Sequence, residues 1–185
     1  MPLTRRHLWF ALPLLAAGVS GAGFYDILKR MRSGIYNPHA LPSPLVGKHL
    51  PDFKLPGAAG LQGFSQADFR ALAQPVLVNW FASWCEPCQQ EASVLNGLAA
   101  SGRAIWGVAY EDSPKALTAY LQNFGNPYQR LGTDQSGLTA INWGVYGVPE
   151  TYFIDKSGIV RLRYAGPLDN QFVEQELLPL FKQYS

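Results

Sequence analysis

The stretch "NWFASWCEPCQQE", from Asn79 to Glu91, holds the only two cysteines of a 185-residue chain. The run that enters it, "VLVNWFA" (76–82), is almost continuously apolar and partly β-branched, as a buried central strand requires. The run that leaves it, "PCQQEASVLNGLAA", places Cys88, Ala92, Leu95 and Ala99 on one helical face. A C-x-x-C between a buried strand and a helix start has a specific chemical logic. Pro87 suits the first helical turn because it lacks an N–H that would otherwise be unpaired there. Cys85 then lies just outside the helix, facing its free N–H groups and the positive end of its dipole. That environment lowers a thiol pKa from about 8.5 and makes the exposed sulfur the nucleophile. Cys88, one turn in and on the apolar face, is the buried thiol that resolves a mixed disulfide by attacking Cys85.

Other uses of two cysteines fit less well. A structural disulfide across so short a loop removes little chain entropy, because the gain grows with loop length. A metal site needs about four ligands, or three and a water. The only histidines are His7, His39 and His49, none beyond the first residue of the domain, so no metal site is expected. The pair reads as a redox-active disulfide, Cys85–Cys88, that needs no further cofactor.

Outward from this motif, helices and strands alternate. "SQADFRALA" opens with Ser65 as a cap and Asp68 three residues on, and Pro75 closes it. "AIWGVAY" (104–110) predicts a second buried strand, and Ser113-Pro114 starts the helix "KALTAYLQNF", which stops at Gly125. "TYFID" and "IVRLRYA", joined by "KSG", predict an antiparallel hairpin. A last helix turns Phe172, Leu177, Leu180 and Phe181 inward, with Pro179 as a kink. The class is α/β, helices around a mixed sheet.

The N-terminal part differs in composition. Residues 1–40 carry five Lys/Arg and one acid, against ten and twelve in residues 41–185, so the formal charge of +2 belongs to the N-terminus. No basic face suggests nucleic acid. Leu8 to Tyr25 is an eighteen-residue run without a charge, near the lower limit of roughly 17–25 for a spanning helix. A cleaved signal peptide is the competing reading, but no sharp A-x-A site stands out, and the run exceeds a usual signal core. The Arg5-Arg6 pair also has the look of a twin-arginine signal, although a plain anchor explains it as well. We assign residues 1–28 to a membrane anchor, 29–48 to a proline-rich linker and 49–185 to the folded domain. Arg5 and Arg6 precede the run while Lys29, Arg30 and Arg32 follow it, so loop charge does not decide its orientation.

"WFASWCEPC" resembles the active-site signature of thioredoxin-like proteins, and "GVPET" (147–151) falls where that fold carries its cis-proline loop. The resemblance implies a cis Val148–Pro149 bond facing the dithiol, with the backbone at Val148 pairing with an extended substrate. "LPSPLVGKHLPDF", "VAYEDS", "FGNPY" and "WGVYGVPETYFIDKSGIVRLRYAGPL" further resemble the cytochrome c maturation thioredoxins, the CcmG/DsbE family, over roughly residues 41–185. The resemblance implies an inner-membrane protein with its domain in the periplasm. It would act as a reductant for the C-x-x-C-H thiols of apocytochrome c, directly or through another maturation thiol protein. A membrane-spanning donor of the DsbD or CcdA type would re-reduce it.

The flanking residues carry their own expectations. Glu86, between the cysteines, disfavours the Cys85 thiolate and moves the couple towards the reducing end, unless it is simply a solvated acid at a helix start. Trp84 covers the dithiol and helps form the docking surface. Thioredoxins usually carry a buried acid six positions before the first cysteine; here that position is Asn79, which cannot take a proton from Cys88. Glu91 and Glu150 are the candidate acceptors, each with the plainer alternative of a partly solvated acid. Two other functions stay open: a broader periplasmic exchanger or oxidase, and a non-enzymatic thiol-bearing binding or chaperone module.

Overall fold

The computed structural model describes Tyr25, residues 43–70 and residues 72–185. The expected anchor, apart from Tyr25, and the linker up to Pro42 lie outside the described residues. Among the described residues no helix is long and apolar enough to cross a membrane.

Strand β1 (Lys54–Leu55) pairs antiparallel with β2 (Phe64–Ser65). Among the described residues of "SQADFRALA" a 3-10 helix over Gln66–Arg70 stands where the cap signal predicts a longer helix. Its entry is held by Asp68, whose carboxylate accepts from both the Ser65 amide and the Ser65 hydroxyl. Strand β3 (Val76–Phe81) follows, then α1 (Glu86–Ala100), β4 (Ala104–Tyr110) and α2 (Pro114–Phe124). Strand β5 (Arg130–Asp134) and the six-residue α3 (Leu138–Trp143) come next; neither was expected from sequence. The hairpin is β6 (Glu150–Ile154) and β7 (Val160–Ala165). The C-terminal helix α4 begins as Asn170–Phe172, widens to a π-helical turn over Val173–Leu177 and resumes as Leu178–Tyr184. The irregularity expected at Pro179 is thus taken up in the preceding turn, where the missing proline N–H leaves a carbonyl to be re-paired.

The main sheet has the order β5-β4-β3-β6-β7, with β3, β4 and β5 parallel and β6 and β7 antiparallel. It is the thioredoxin-like arrangement, and β3, buried along its whole length, is its centre. Alternation along β3 divides the core in two. Leu77 and Phe81 pack with Cys88, Leu95 and the helical residues Leu117, Tyr120, Leu177 and Phe181. Val76, Val78 and Trp80 pack on the other side, with Phe64, Phe69, Trp106, Trp143 and Tyr152. Period-2 alternation puts Asn79 on the side of Leu77 and Phe81. In α1 the buried stripe is Cys88, Glu91, Ala92, Leu95 and Leu98, so Ala99 is only half-buried and a glutamate joins the apolar face. At the N-terminal edge, Leu45 is buried, and Gly47 and Lys48 exchange backbone bonds with Val160.

Candidate active site

Cys85 and Cys88 are joined by a disulfide. Cys85 is the N-cap of α1, with an extended backbone (φ −91°, ψ 108°), and its Sγ accepts from the Cys88 amide at 3.2 Å. Pro87 sits in the first turn as its chemistry requires. The Cys88 amide is thus a first-turn N–H that would stabilise a thiolate at Cys85 once the disulfide is opened. Cys88 has no exposed surface, as expected. Cys85 keeps only 4% of its own, less than the exposed nucleophile anticipated. The cause is the loop opposite: Val148–Pro149 is cis, and the Val148 carbonyl oxygen lies 3.5 Å from Cys85 Sγ.

The approach to the cysteines is held by a residue that sequence reading missed. Asp112 is buried and accepts from the Ser83 amide at 2.6 Å and the Ser83 hydroxyl at 2.7 Å, tying the end of β4 to the turn before Cys85. Trp84 stands 61% exposed beside this turn, its Nε1 donating to the Glu111 carbonyl at 3.4 Å. It flanks the disulfide and is accessible. Glu86 is exposed in the first turn of α1.

The two candidate bases are both buried, not partly solvated: Glu91 is 1% exposed and Glu150 0%. They lie on opposite sides of β3, one carried by α1 and the other by β6. Glu91 projects from α1 towards β3, where its Oε1 accepts from Asn79 Nδ2 at 2.8 Å and its Oε2 from the Leu168 amide at 2.8 Å. Burial pushes its carboxyl up to about 7, against the lowering influence of the Leu168 and Asn79 donors. Asn79 is itself saturated. Its Nδ2 also reaches Thr151 Oγ1 at 3.2 Å, and its Oδ1 accepts from the Tyr128 hydroxyl at 2.8 Å. Tyr128 can lie across the sheet there because its neighbour on β4 is Gly107, where a Cβ would stand 2.9 Å from the Tyr128 ring. A second tyrosine, Tyr120, donates to the Cys88 carbonyl at 2.9 Å, and burial raises its pKa.

Glu150 is paired with Trp80 across the β3–β6 ladder, on the other side of β3 from Asn79. Arg163 clamps it with two bonds, Nε to Oε1 at 2.7 Å and Nη2 to Oε2 at 2.6 Å, both side chains 1% exposed. The Tyr152 hydroxyl lies 2.6 Å from Oε1, and the Tyr146 amide donates to Oε2 at 3.4 Å. Glu150 is therefore an ion-paired anchor of the cis-proline loop and not a free proton acceptor. Glu91, in contrast, has only neutral partners and a raised pKa, as a base requires. No group of three or more metal-ligating side chains lies together among the described residues.

Residues 46–163 match the model of the AhpC/TSA family. A relative, the "Thiol:disulfide interchange protein DsbE" of Pseudomonas fluorescens biotype C, is 43% identical over 145 residues, covering 78% of this chain and 80% of that one. The "Thiol:disulfide interchange protein HelX" of Rhodobacter capsulatus is 38% identical over 170 residues, 91% of this chain and 93% of that one. Among solved structures, MTB DsbF, determined in mixed oxidised and reduced forms, superposes with a TM-score of 0.61 at 25% identity. It covers 71% of this chain and 98% of its own.

Proposed function

This chain belongs to the AhpC/TSA family and to the DsbE group of thiol:disulfide interchange proteins, and we propose that it is a reductant for c-type cytochrome maturation. It is a thiol-disulfide oxidoreductase working through Cys85 and Cys88, which removes the non-enzymatic binding module from consideration. In the proposed role the domain is tethered to the inner membrane through Leu8–Tyr25 and faces the periplasm. Its client is the C-x-x-C-H disulfide of apocytochrome c or a maturation thiol protein, and a membrane donor of the DsbD or CcdA type restores the dithiol.

The observation that carries the reading is the seat of Cys85. It sits at a helix N-terminus, with its sulfur bonded by the Cys88 amide and faced by the Val148 carbonyl of the cis-proline loop. From the reduced state, the Cys85 thiolate attacks one client sulfur. That bond forms as the client S–S bond breaks, and the departing sulfur leaves as a thiolate that takes up a proton. Cys88 then loses its proton, attacks Cys85 Sγ and releases the client's other sulfur as a second thiol. The two electrons end in the client, and the Cys85–Cys88 disulfide forms. Glu91, buried three residues after Cys88 with a carboxyl near neutrality, is the proposed acceptor of the Cys88 proton, either directly or by way of a water. It fills the role that the uncharged Asn79 cannot. Glu86, a carboxylate beside the nucleophile, favours the reducing direction by opposing the thiolate.

A Cys88→Ser variant in its native membrane tests the assignment, because it cannot resolve mixed disulfides. Mass spectrometry of the trapped complexes should return apocytochrome c or a maturation thiol protein as the main partner. A broad spread of secreted proteins would make the chain a general exchanger and overturn the cytochrome role.

A further inference from the structure

Around the disulfide runs an arc of exposed apolar side chains that the core does not use. Trp84, Leu138, Ile141 and Tyr146 are 61%, 62%, 71% and 72% exposed. Single exposed apolar residues need no explanation, but a contiguous set beside a reactive group marks a contact surface. Shared neighbours and short stretches of chain link these four. The Trp84 ring meets Tyr110 edge-on at 6.5 Å. Tyr110 and Glu111 close over Gly137, where a Cβ would stand 3.4 Å from the Tyr110 ring and 2.7 Å from Glu111 Oε1. Leu138 comes next, and Ile141 stands one turn further along α3, whose Thr139, Ala140 and Trp143 face inward. The chain then returns through Tyr146, whose ring lies over the Arg163 guanidinium at 4.9 Å, to Val148 against Cys85. The arc begins and ends at the nucleophile.

Its rim is acidic. Glu111 has a left-handed backbone, φ 45°, which is unfavourable for a residue with a Cβ and recurs at functional sites. Its surroundings impose the turn: its amide donates to the Asp134 carbonyl at 3.1 Å, its carbonyl accepts from Trp84, and Asp112 beside it grips Ser83. The result is a carboxylate held over Gly137 beside Tyr110, whose ring meets that of Trp84. Glu86, exposed, adds a second acid beside Cys85. The cation beneath Tyr146, Arg163, is already neutralised by Glu150.

We infer that this arc is the docking surface for an extended polypeptide segment carrying its disulfide with an apolar side chain and a cationic one beside the cysteines, and that Glu111 sets the preference for the cation. The inference deepens the thiol-disulfide role proposed above and rests on it. Leu138 and Ile141 give the apolar side chain a surface to cover. A cation between the Glu111 carboxylate and the aromatic faces gains both ionic and cation–π attraction. An anionic segment is repelled at the same place.

The test uses the full-length reduced protein in detergent and three synthetic peptides. Each peptide is closed by a disulfide, and they differ only in an Arg, Gln or Glu next to one cysteine. Stopped-flow exchange rates are expected in the order Arg, Gln, Glu. Glu111→Gln should shrink the Arg-to-Glu rate ratio by about two- to fivefold, and Glu111→Lys should reverse the order. Glu174→Gln, on α4, should leave the ratio as it was. Ile141→Ser, at a position already exposed, should slow all three peptides together. Equal rates for the three peptides, or a ratio untouched by Glu111→Gln, would overturn the inference and leave the oxidoreductase standing. Exchange with none of them would remove both.

Discussion

Glu91 and Glu150 are two buried carboxylates on opposite faces of one central strand, and they have been given opposite work. Glu150 meets a guanidinium in a two-bond clamp; Glu91 meets only an amide side chain and a backbone N–H. A buried acid clamped by a buried cation is fixed in place, whereas one with neutral donors alone feels its burial and holds its proton to higher pH. The first pins the cis-proline loop, through the Tyr146 amide and the strand pair below it. The second is left able to gain and lose a proton at neutral pH. Sequence places each acid close to a site residue, Glu91 three positions after Cys88 and Glu150 next to Pro149, and only their partners distinguish an anchor from a base.

The largest expected effect breaks the anchored side. Arg163→Met leaves the Glu150 charge buried and unpaired and should destabilise the domain by about 3–5 kcal/mol. Urea unfolding monitored by fluorescence would read this as a lower midpoint. Replacing both partners, as Arg163→Met with Glu150→Leu, should recover most of the loss, since an apolar pair leaves no orphaned charge. A double variant as unstable as the single one would show that the clamp holds the loop by more than charge balance.

Glu91 should announce itself through pH. Its carboxyl moves from an ordinary 4.5 to about 7 on folding, so between those values the folded chain binds more protons than the unfolded one. Stability is then greatest below the lower value and falls as pH rises through the upper one, by roughly 3 kcal/mol. Glu91→Gln should flatten that slope in unfolding curves collected from pH 4.5 to 8. In single-turnover exchange the same substitution should slow the resolving step and remove an inflection near pH 7, while leaving the formation of the mixed disulfide much less affected. An unchanged slope and profile would return Glu91 to the structural side of the comparison.

Much of this was legible before the fold was known, and the division is physical. Strands β3 and β4, the caps at Cys85 and Ser113 and the terminal hairpin announce themselves locally, through apolar runs and turn residues within a few positions. Strand β5 and helix α3 do not. The first is five residues interrupted by Gly132, and the second is six residues between two left-handed glycines, so both depend on packing and on register with β4. The cysteines and Pro149 are legible because their chemistry is written in adjacent residues. The fate of an acid is not, because its partners come from elsewhere. Glu91 depends on Leu168, 77 positions away, and Glu150 on Arg163, 13 away. Asp112 was hidden for the same reason, since it acts on Ser83, 29 residues before it.

The smallest expected effects separate the two tyrosines that surround the base. Tyr120 donates to the Cys88 carbonyl, a helical oxygen with backbone donors near it, so Tyr120→Phe should cost about 0.5–1.5 kcal/mol. Tyr128 is the donor to Asn79 Oδ1 in the dry interior, and its loss leaves that oxygen without its hydroxyl partner, at about 1–3 kcal/mol. The consequences for Glu91 differ more than the energies. The Tyr128 hydroxyl fixes which way the Asn79 amide points, and so holds Nδ2 against Glu91 Oε1. Without it the amide is free to turn away, Glu91 loses a donor that lowers its pKa, and the pH midpoint of stability should move upward. Tyr120→Phe should leave the midpoint much closer to the parent value. If both variants shift it equally, the base is tuned by the polarity of the whole cluster and not by the orientation of Asn79.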